Sequence, residues 1–324
     1  MDDLFENILE AHRAIRPQVA VTPLERSGIL STVFGCNVLL KHEQMQPTGS
    51  FKIRGATNKV GHLDRRSRAA GVLAASTGNH GLAVSRAGAL AGVPVTVYVG
   101  SSTIPAKMAG IRALGAELVV VDGAPLDAEL AARRRAEAEG RIYISPYNDL
   151  QVVAGQGTLG VELLEQAPDL DAVFIAVGAG GLIGGVGSAI KATNPRVQVV
   201  GVWPEASPCM LRALEAGQIV PVEEHATLSD ATAGAIEPGS VTFPICQSVI
   251  DARVVVSEAE IVSAMRRLAE TEHLMVEGAA GVALAGLARS ADAYRGRTVA
   301  VVLCGRNIGL DTFIATVGGV SHSQ

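Results

Sequence analysis

Residues 50–55, with the sequence SFKIRG, place Lys52 among apolar and small neighbours. A proline and a glycine at positions 47 and 49 predict a turn before it, and a helical run follows. A lysine in such surroundings loses part of its hydration, which favours its neutral and nucleophilic amine. Amines of this kind form Schiff bases with carbonyl compounds. A lysine that begins a helix after a turn is more often a solvated surface residue, so the rest of the chain has to decide between the two interpretations.

A glycine-rich stretch, GAGGLIGG at residues 178–185, lies between an apolar run and a predicted helix. Glycines let backbone amides approach an anion, and a helix N-terminus favours negative charge, so the stretch predicts a phosphate site. A dinucleotide site is an alternative, although Ile183 stands where that fingerprint needs a glycine. No acid directly ends the following strand, but Glu205 comes a few residues later. In a third interpretation the glycines only allow the helix to pack closely on the sheet.

Three further groups lie at the ends of predicted elements. STGNHG at residues 76–81 follows an apolar strand, and its hydroxyls, amide and helix start can bind a carboxylate and a phenolic oxygen. An ordinary turn with a helix cap is the alternative there, and His80 taken alone is more often structural than catalytic. Cys304 ends the last apolar strand and is either a small core residue or the partner of a heterocycle nitrogen. Glu277 opens a helix, where an acid either complements the helix dipole or serves a site.

Strands, glycine turns and helices alternate along most of the chain. Apolar runs bounded by glycine, with helices between them, predict parallel sheets covered on both faces. The predicted fold class is α/β, with two doubly wound open-sheet domains and the active site between them. Residues 53–146 form the small domain, and residues 1–52 with 147–324 form the large one. Helices are expected from about residue 4 to 15, up to about 62, at 82–91, around 106–114, at 127–139, from about 157 to 165, up to 192, and at 258–272 and 278–288. Strands are expected at residues 72–76, 95–99, 117–121, 141–144, 172–177, 197–202, 252–256 and 298–303.

Composition excludes several classes of protein. The net charge of −5 gives no basic surface for nucleic acid or anionic lipid. An uninterrupted apolar run of about 18 residues does not occur, so no membrane-spanning segment is expected. The four cysteines lack CxxC spacing, which is typical of a reducing compartment. The chain begins with acids and an amphipathic run, so we expect no secretory signal and a cytoplasmic protein.

The lysine stretch, STGNHG, GAGGLIGG and CGRN at residues 304–307 follow one another in this order. Together they resemble the fold type II pyridoxal-phosphate enzymes, particularly the threonine/serine dehydratase and serine racemase group. The resemblance extends from residue 22 to residue 307 and includes AGQGT at residues 154–158. Residues 202–210 and 228–234 also resemble the subgroup of hydroxyectoine-utilisation dehydratases. The resemblance implies a tryptophan-synthase-β-like fold whose large domain binds pyridoxal 5′-phosphate.

The resemblance also implies a role for each stretch. Lys52 would be the Schiff-base lysine and catalytic base, Phe51 would lie beside the cofactor ring, and Asn79 would bind the phenolic oxygen of the ring. Cys304 would face the pyridine nitrogen, where the family usually has serine, and Glu277 would belong to the cofactor site. The residues expected to hold the phosphate are Gly178, Ala179, Gly180, Gly181 and Leu182. Those expected to bind the substrate carboxylate are Ser76, Thr77, Gly78, Asn79 and His80.

The implied activity is β-elimination from an L-β-hydroxy amino acid such as threonine, serine or a hydroxyectoine-derived compound, which gives a 2-oxo acid and ammonia. A thiol at position 304 cannot keep the ring nitrogen protonated as a carboxylate would, and this favours elimination over transamination. A racemase is an alternative, with Thr77 in place of the serine that acts as opposite-face base in racemases. Two further alternatives remain. One is a β-replacement synthase; the other, from a different class, is a nucleotide-dependent oxidoreductase or binding protein.

One departure from the family concerns a metal. Many relatives have an acid in a Val-Glu-Pro pattern that contributes to a divalent-cation site, whereas this chain has Trp203 at that place. Tryptophan offers no oxygen ligand to magnesium or calcium, so we expect no metal there. The resemblance further implies a homodimer or homotetramer that acts on a small amino acid, with no nucleic-acid or membrane partner.

Overall fold

Two separate sheets organise the part of the chain that the structure describes. The structure is a computed structural model, and it describes residues 2–76, 78–101, 103, 105–123 and 125–319. The larger sheet has the order β1-β2-β10-β7-β8-β9 and the smaller one the order β5-β4-β3-β6; the strands are β1 (Leu24–Ser27), β2 (Asn37–Lys41), β3 (Val72–Ala75), β4 (Val95–Gly100), β5 (Glu117–Val121), β6 (Ile142–Tyr143), β7 (Ala172–Ala176), β8 (Gln198–Pro204), β9 (Ala252–Val256) and β10 (Thr298–Val302). Paired strands run parallel, except that β1 is antiparallel to β2.

Burial explains why the sequence forms these strands. Every residue of β4 and β7 is buried, and both are the continuous apolar runs that central parallel strands require. β5 is an edge strand of the smaller sheet, and none of its residues is buried. The strands predicted from apolar runs therefore agree with the structure to within a few residues.

Fourteen helices surround the sheets within the described residues. They are α1 (Asp2–Ile15), α2 (Gly28–Phe34), α3 (Lys52–Gly61), α4 (Arg65–Ala70), α5 (Asn79–Ala91), α6 (Pro105–Ala113), α7 (Pro125–Glu139), α8 (Leu150–Gln166), α9 (Gly181–Thr193), α10 (Cys209–Ala216), α11 (Thr242–Val249), α12 (Glu258–Thr271), α13 (Gly278–Ser290) and α14 (Leu310–Gly318). Helices cover both faces of the smaller sheet: Val72 and Ala74 pack in one cluster with residues of α5, and Leu73 packs in another with residues of α7. Successive side chains of a strand point to opposite faces, so both clusters form on β3. None of the helices in the described ranges combines the length and apolar character needed to cross a membrane.

Helix α8 begins earlier than the sequence predicted. It starts at Leu150 rather than near residue 157, because the Asp149 side chain accepts hydrogen bonds from two backbone N–H groups of the first turn. Gly155, Gly157 and Gly160 lie inside this helix. A Cβ atom on Gly155 would come within 2.6 Å of the Cα of Gly55, so α3 and α8 approach each other only because both positions are glycine.

The glycine-rich stretch is divided between a turn and a helix. α9 already begins at Gly181, so the turn is shorter than the sequence predicted. Helices α2, α10, α11 and α14 have no counterpart among the predicted elements, since each has only seven to nine residues and too few turns for a clear helical period. We propose domain limits after residues 52 and 146, which leave each sheet within one domain.

Candidate active site

A cavity of about 280 Å³ is lined by residues that follow strands of both sheets. Ser76 follows β3, Pro146 lies beyond β6, Gly178 beyond β7, and Cys304 beyond β10. Thr77, predicted to be catalytic and to bind the substrate carboxylate, lies outside the described residues. The other predicted site residues all line the cavity; they are Phe51, Lys52, Ser76, Gly78, Asn79, His80, Gly178, Ala179, Gly180, Gly181, Leu182, Glu277 and Cys304.

The amine of Lys52 lies inside this cavity. Lys52 is the first residue of α3, and its Nζ donates a hydrogen bond to the backbone oxygen of Pro146 at 3.0 Å. The same atom lies 5.2 Å from the centroid of the Phe51 ring. Burial lowers the pKa of Lys52 to about 8, although the side chains of Cys304 and Glu277 act in the opposite direction. A substantial fraction of the amine is therefore neutral near pH 8, as attack on a carbonyl requires.

The turn before α9 leaves backbone amides free at the cavity. No side chain caps α9, so the N–H groups of its first turn have no partner within the helix. A Cβ atom on Gly178 would lie 2.9 Å from the backbone oxygen of Thr232, and Gly180 has a φ of +90°, a conformation that favours glycine. The Thr242 hydroxyl donates to the backbone oxygen of Ala179 at 2.6 Å and holds the turn. This geometry suits a phosphate group.

Buried groups fix the side-chain amide of Asn79 from both ends. Its Nδ2 donates to Oε1 of Glu277 at 2.8 Å, and its Oδ1 accepts from Nδ2 of Asn307 at 2.5 Å. Nδ2 also lies 3.1 Å from Oε2 of Glu277, so one hydrogen shared by the two oxygens of that carboxyl group sets the orientation of the amide, and the other hydrogen can serve a further acceptor. Asn307 was not predicted as a site residue, and its only signal was its place in the CGRN stretch.

Glu277 occupies the N-cap position of α13 without capping that helix. Instead its carboxyl group accepts hydrogen bonds from Asn79 and from the backbone N–H of Asn307, at 3.0 Å. Burial raises the pKa of Glu277 to about 7, although the hydrogen bond from Asn79 acts against this shift. A Cβ atom on Gly305 would lie 2.4 Å from Oε1 of Glu277, so the chain needs glycine there. Glu277 thus supports Asn79 at the cavity wall.

His80, Ser76 and Cys304 have distinct surroundings. Burial lowers the pKa of His80 to about 3, so its imidazole is neutral and Nε2 donates to the backbone oxygen of Ile144 at 2.8 Å. This bond anchors α5 beside the end of β6. The Ser76 hydroxyl accepts from the backbone N–H of Gly78 at 3.1 Å. Burial raises the pKa of Cys304 well above its ordinary value, so the side chain is an uncharged thiol.

Sequence reasoning missed three side chains that line the cavity. Lys107 of α6 and Asp230, in a single 3₁₀ turn, form an ion pair with Nζ and Oδ2 3.3 Å apart. The Tyr147 hydroxyl accepts from the backbone N–H of Glu237 at 3.0 Å. Lys107 and Tyr147 belong to no motif that the sequence analysis singled out, whereas Asp230 lies in residues 228–234, which were noted for a subgroup resemblance but not as a site.

Trp203 is fully buried in β8, and its ring would collide with a Cβ atom on Gly201. Its indole fills the core of the larger sheet and has no oxygen to offer a hard cation. Nearby, the Ser207 hydroxyl donates to Glu224, whose Oε2 also accepts from the backbone N–H of Gly234 at 2.8 Å. That no divalent cation binds here stays a prediction.

The donor set of the cavity fits pyridoxal 5′-phosphate. Lys52 offers a buried amine for the aldehyde, and Asn79 offers a fixed amide donor for the phenolic oxygen. The uncapped start of α9 offers amides for the phosphate, behind a turn in which a Cβ atom on Gly178 or Gly180 would collide with its surroundings.

Comparison with known proteins identifies the family. Residues 15–305 match the family described as "Pyridoxal-phosphate dependent enzyme". The L-threonine ammonia-lyase of Thermotoga maritima is 41% identical over 304 residues, which cover 94% of this chain and 75% of the relative. The processed form of threonine deaminase isoform 2 from Solanum lycopersicum is 31% identical with a TM-score of 0.95, and the match covers 99% of this chain and 94% of that one. Maize serine racemase is 30% identical with a TM-score of 0.89, covering 97% and 98%. The chain therefore belongs to the pyridoxal-phosphate dependent enzymes, and pyridoxal 5′-phosphate is its cofactor.

Proposed function

We propose that this enzyme catalyses β-elimination from an L-β-hydroxy amino acid and releases a 2-oxo acid and ammonia. The observation that carries the proposal is the buried amine of Lys52, whose pKa is lowered to about 8, in a cavity with a second polar wall formed by Asn79 and Glu277. The similarity to an L-threonine ammonia-lyase and to a threonine deaminase supports the same reaction.

Lys52 would anchor the cofactor and then act as the base. When bound, pyridoxal 5′-phosphate draws electron density from the α-carbon of the substrate. Once the substrate amine has displaced it, the Lys52 amine is free to remove the α-proton, and a pKa near 8 suits that transfer at neutral pH. The β-hydroxyl would leave with one proton as water, and the amino acid, having lost its α-proton and hydroxyl, would be released as an enamine that takes up one water to give the 2-oxo acid and ammonia.

The remaining residues orient the reactants. Residues 76–80 would bind the substrate carboxylate, since no side chain among the described residues caps the start of α5 and the first N–H groups of a helix have no partner within it. Asn79, fixed by Glu277, would donate to the phenolic oxygen of the cofactor. Cys304 would face the ring nitrogen as an uncharged thiol and leave that nitrogen unprotonated, which favours elimination.

The identity of the substrate is a more specific proposal. L-Threonine, L-serine and a hydroxyectoine-derived β-hydroxy amino acid share the required α-proton and β-hydroxyl. A racemase is the second candidate, because maize serine racemase matches almost the whole chain. Membership of the family removes the nucleotide-dependent oxidoreductase as an alternative for this chain. We also propose that the enzyme is a homodimer or homotetramer, as the family resemblance implies.

The first experiment is the visible absorbance spectrum of the purified protein before and after borohydride, followed by peptide mapping. We expect a yellow protein and a reduced pyridoxyl label on Lys52. The substrates named above are then screened for 2-oxo acid release, and chiral analysis of the recovered amino acid separates elimination from racemisation. Label on Lys52 with no 2-oxo acid from any β-hydroxy amino acid would refute the proposed reaction.

A further inference from the structure

Lys107 is a cation at the wall of the cavity, and the proposed β-elimination assigns it no role. Its side chain is only 21% exposed, and it lines the cavity from α6. Its Nζ would lie 3.9 Å from a Cβ atom built on Gly78, so the ammonium faces the segment expected to bind the substrate carboxylate. At this distance the two groups are in ordinary van der Waals range, so Lys107 and Gly78 lie side by side on the cavity wall.

The ammonium of Lys107 has hydrogen-bonding capacity to spare. Within the described residues its hydrogen-bond partner is Oδ2 of Asp230, at 3.3 Å. Asp230 is 67% exposed, and an ion pair with so exposed an acid is weak. A lysine ammonium has three donors, so two remain for a ligand in the cavity.

The charges around the cavity show why a ligand carboxylate needs this cation. Among the described lining residues, the acids are Glu129, Asp230 and Glu277, while the cationic side chains are Lys52 and Lys107. Lys52 is committed to the cofactor, and His80 is neutral. A carboxylate that leaves water for such a site is costly unless a charge or several donors compensate it.

We propose that Lys107 is the counter-ion of the substrate α-carboxylate, which lies between its ammonium and the backbone amides at the start of α5. This inference rests on the proposed function, because it takes an amino acid as the ligand and residues 76–80 as its carboxylate site.

The test compares two ligands that differ only in the carboxylate. L-Alanine and L-alaninamide are titrated into the holoenzyme, and apparent Kd values are taken from the change in visible absorbance. Lys107→Met should weaken L-alanine by about 10- to 100-fold, the range of a hydrogen bond to a charged group, and should change L-alaninamide by less than about threefold. Lys107→Arg should recover most of the affinity for L-alanine.

Two control variants test whether an effect of Lys107→Met comes from the loss of a positive charge on α6 or of the ion pair with Asp230, and not from the loss of the contact with the carboxylate. Arg112→Met removes the same charge from an exposed position on α6 and should leave both ligands unaffected. Asp230→Asn removes the ion pair but keeps the ammonium, so L-alanine should bind at least as well as to the wild type. If Asp230→Asn weakened L-alanine as much as Lys107→Met, the ion pair and not the ammonium would matter, and the proposal would be wrong.

Two other outcomes would overturn the role proposed for Lys107. Equal weakening of L-alanine and L-alaninamide by Lys107→Met would assign the residue a structural role. An effect confined to the dicarboxylic substrate 3-hydroxyaspartate would place the ammonium at the substrate side chain; either result overturns the proposal. L-Alanine has no β-hydroxyl, so its binding reports carboxylate recognition even in a protein that performs no elimination. Failure of the proposed reaction is thereby distinguishable from failure of this inference.

Discussion

Lys52 and Arg54 lie two residues apart at the start of α3, yet their surroundings differ: Arg54 is fully buried, whereas Lys52 is partly exposed at the cavity. The guanidinium of Arg54 binds two carboxylates: Nε lies 2.7 Å from Oε2 of Glu43, and Nη1 lies 2.8 Å from Oε1 of Glu162. The amine of Lys52 instead meets a backbone oxygen, within the residues that the structure describes. One turn of helix thus holds a compensated cation and an uncompensated one.

Pairing, not burial, decides how the two cations titrate. Burial alone would lower the pKa of Arg54, but the carboxylates of Glu43 and Glu162 outweigh it and raise that pKa. Burial would likewise raise the pKa of Glu162, and Arg54 outweighs it in the other direction. Lys52 lacks such a partner, so burial prevails and lowers its pKa to about 8. A buried cation with carboxylate partners is therefore structural here, and one without them is reactive.

Arg54 belongs to a four-charge cluster formed by Lys41, Glu43, Arg54 and Glu162. Each of these side chains is at most 1% exposed, and the two positive and two negative charges balance. The cluster joins the end of β2 to α3 and α8. Buried ion pairs rarely stabilise more than apolar residues of the same size would, so we interpret the cluster as a device that fixes the position of α3 and hence of Lys52.

The largest expected effect is the loss of activity in Lys52→Ala. Removing the amine takes away the anchor and the base together, so 2-oxo acid release should fall by at least about 10³-fold. Circular dichroism should show an unchanged fold. The matched control is Lys59→Ala in the same helix, which removes a partly exposed ion pair with Asp149 and should retain activity within about threefold. Appreciable turnover by Lys52→Ala would refute its assignment as the base.

Arg54→Met should produce the largest loss of stability. The change leaves Glu43 and Glu162 buried with one cation, Lys41, between them, and breaking a buried pair in this way costs about 3–5 kcal/mol. Urea unfolding of the apoprotein measures the loss. Arg295→Met removes an exposed arginine that is paired with Asp292, and it should change the free energy of unfolding by less than about 0.5 kcal/mol. Equal effects of the two variants would contradict the structural role of the cluster.

Lys52→Met should have the opposite sign and stabilise the apoprotein. The pKa of Lys52 is about 8 in the folded state and 10.5 when unperturbed, so between these values the unfolded chain binds more protons and wild-type stability rises with pH. Below pH 8 the full penalty of the buried ammonium is present, and Lys52→Met should gain about 1–3 kcal/mol there. The gain should disappear by about pH 10.5. Urea unfolding at several pH values measures it, and a gain that does not depend on pH would contradict the lowered pKa.

The sequence predicted the strands of this fold better than its helices. Apolar runs such as residues 172–177 become strands within one residue of the predicted limits, because a buried parallel strand needs an apolar residue at every position. The start of α8 was missed because glycine usually interrupts a helix. Gly155 is tolerated there for the close approach of α3, a long-range contact that no local pattern records.

The sequence singled out cavity-lining residues where they belong to short motifs, and it did not reveal how those residues are held in place. Lys52, Asn79 and Cys304 belong to stretches whose composition already indicates ligand binding. The support that Glu277 gives to Asn79 joins residues 198 positions apart, and Arg54 binds Glu162, 108 positions away, and Glu43, 11 positions away in another element. Such pairs depend on how α3, α8 and α13 pack, so one sequence alone could not reveal them.

The smallest expected effect concerns Cys304, a buried residue that lines the same cavity as Lys52. Its side chain is 3% exposed, and burial raises the pKa of the thiol, so it is uncharged at neutral pH. A serine hydroxyl is also uncharged, and neither group keeps a nearby ring nitrogen protonated. Cys304→Ser should therefore change kcat/KM by less than about threefold, whereas Cys304→Asp adds a second acid near Glu277 and should lower it by at least about tenfold. Steady-state kinetics measures both, and a large loss in Cys304→Ser would mean that the thiol has a task that a hydroxyl cannot perform.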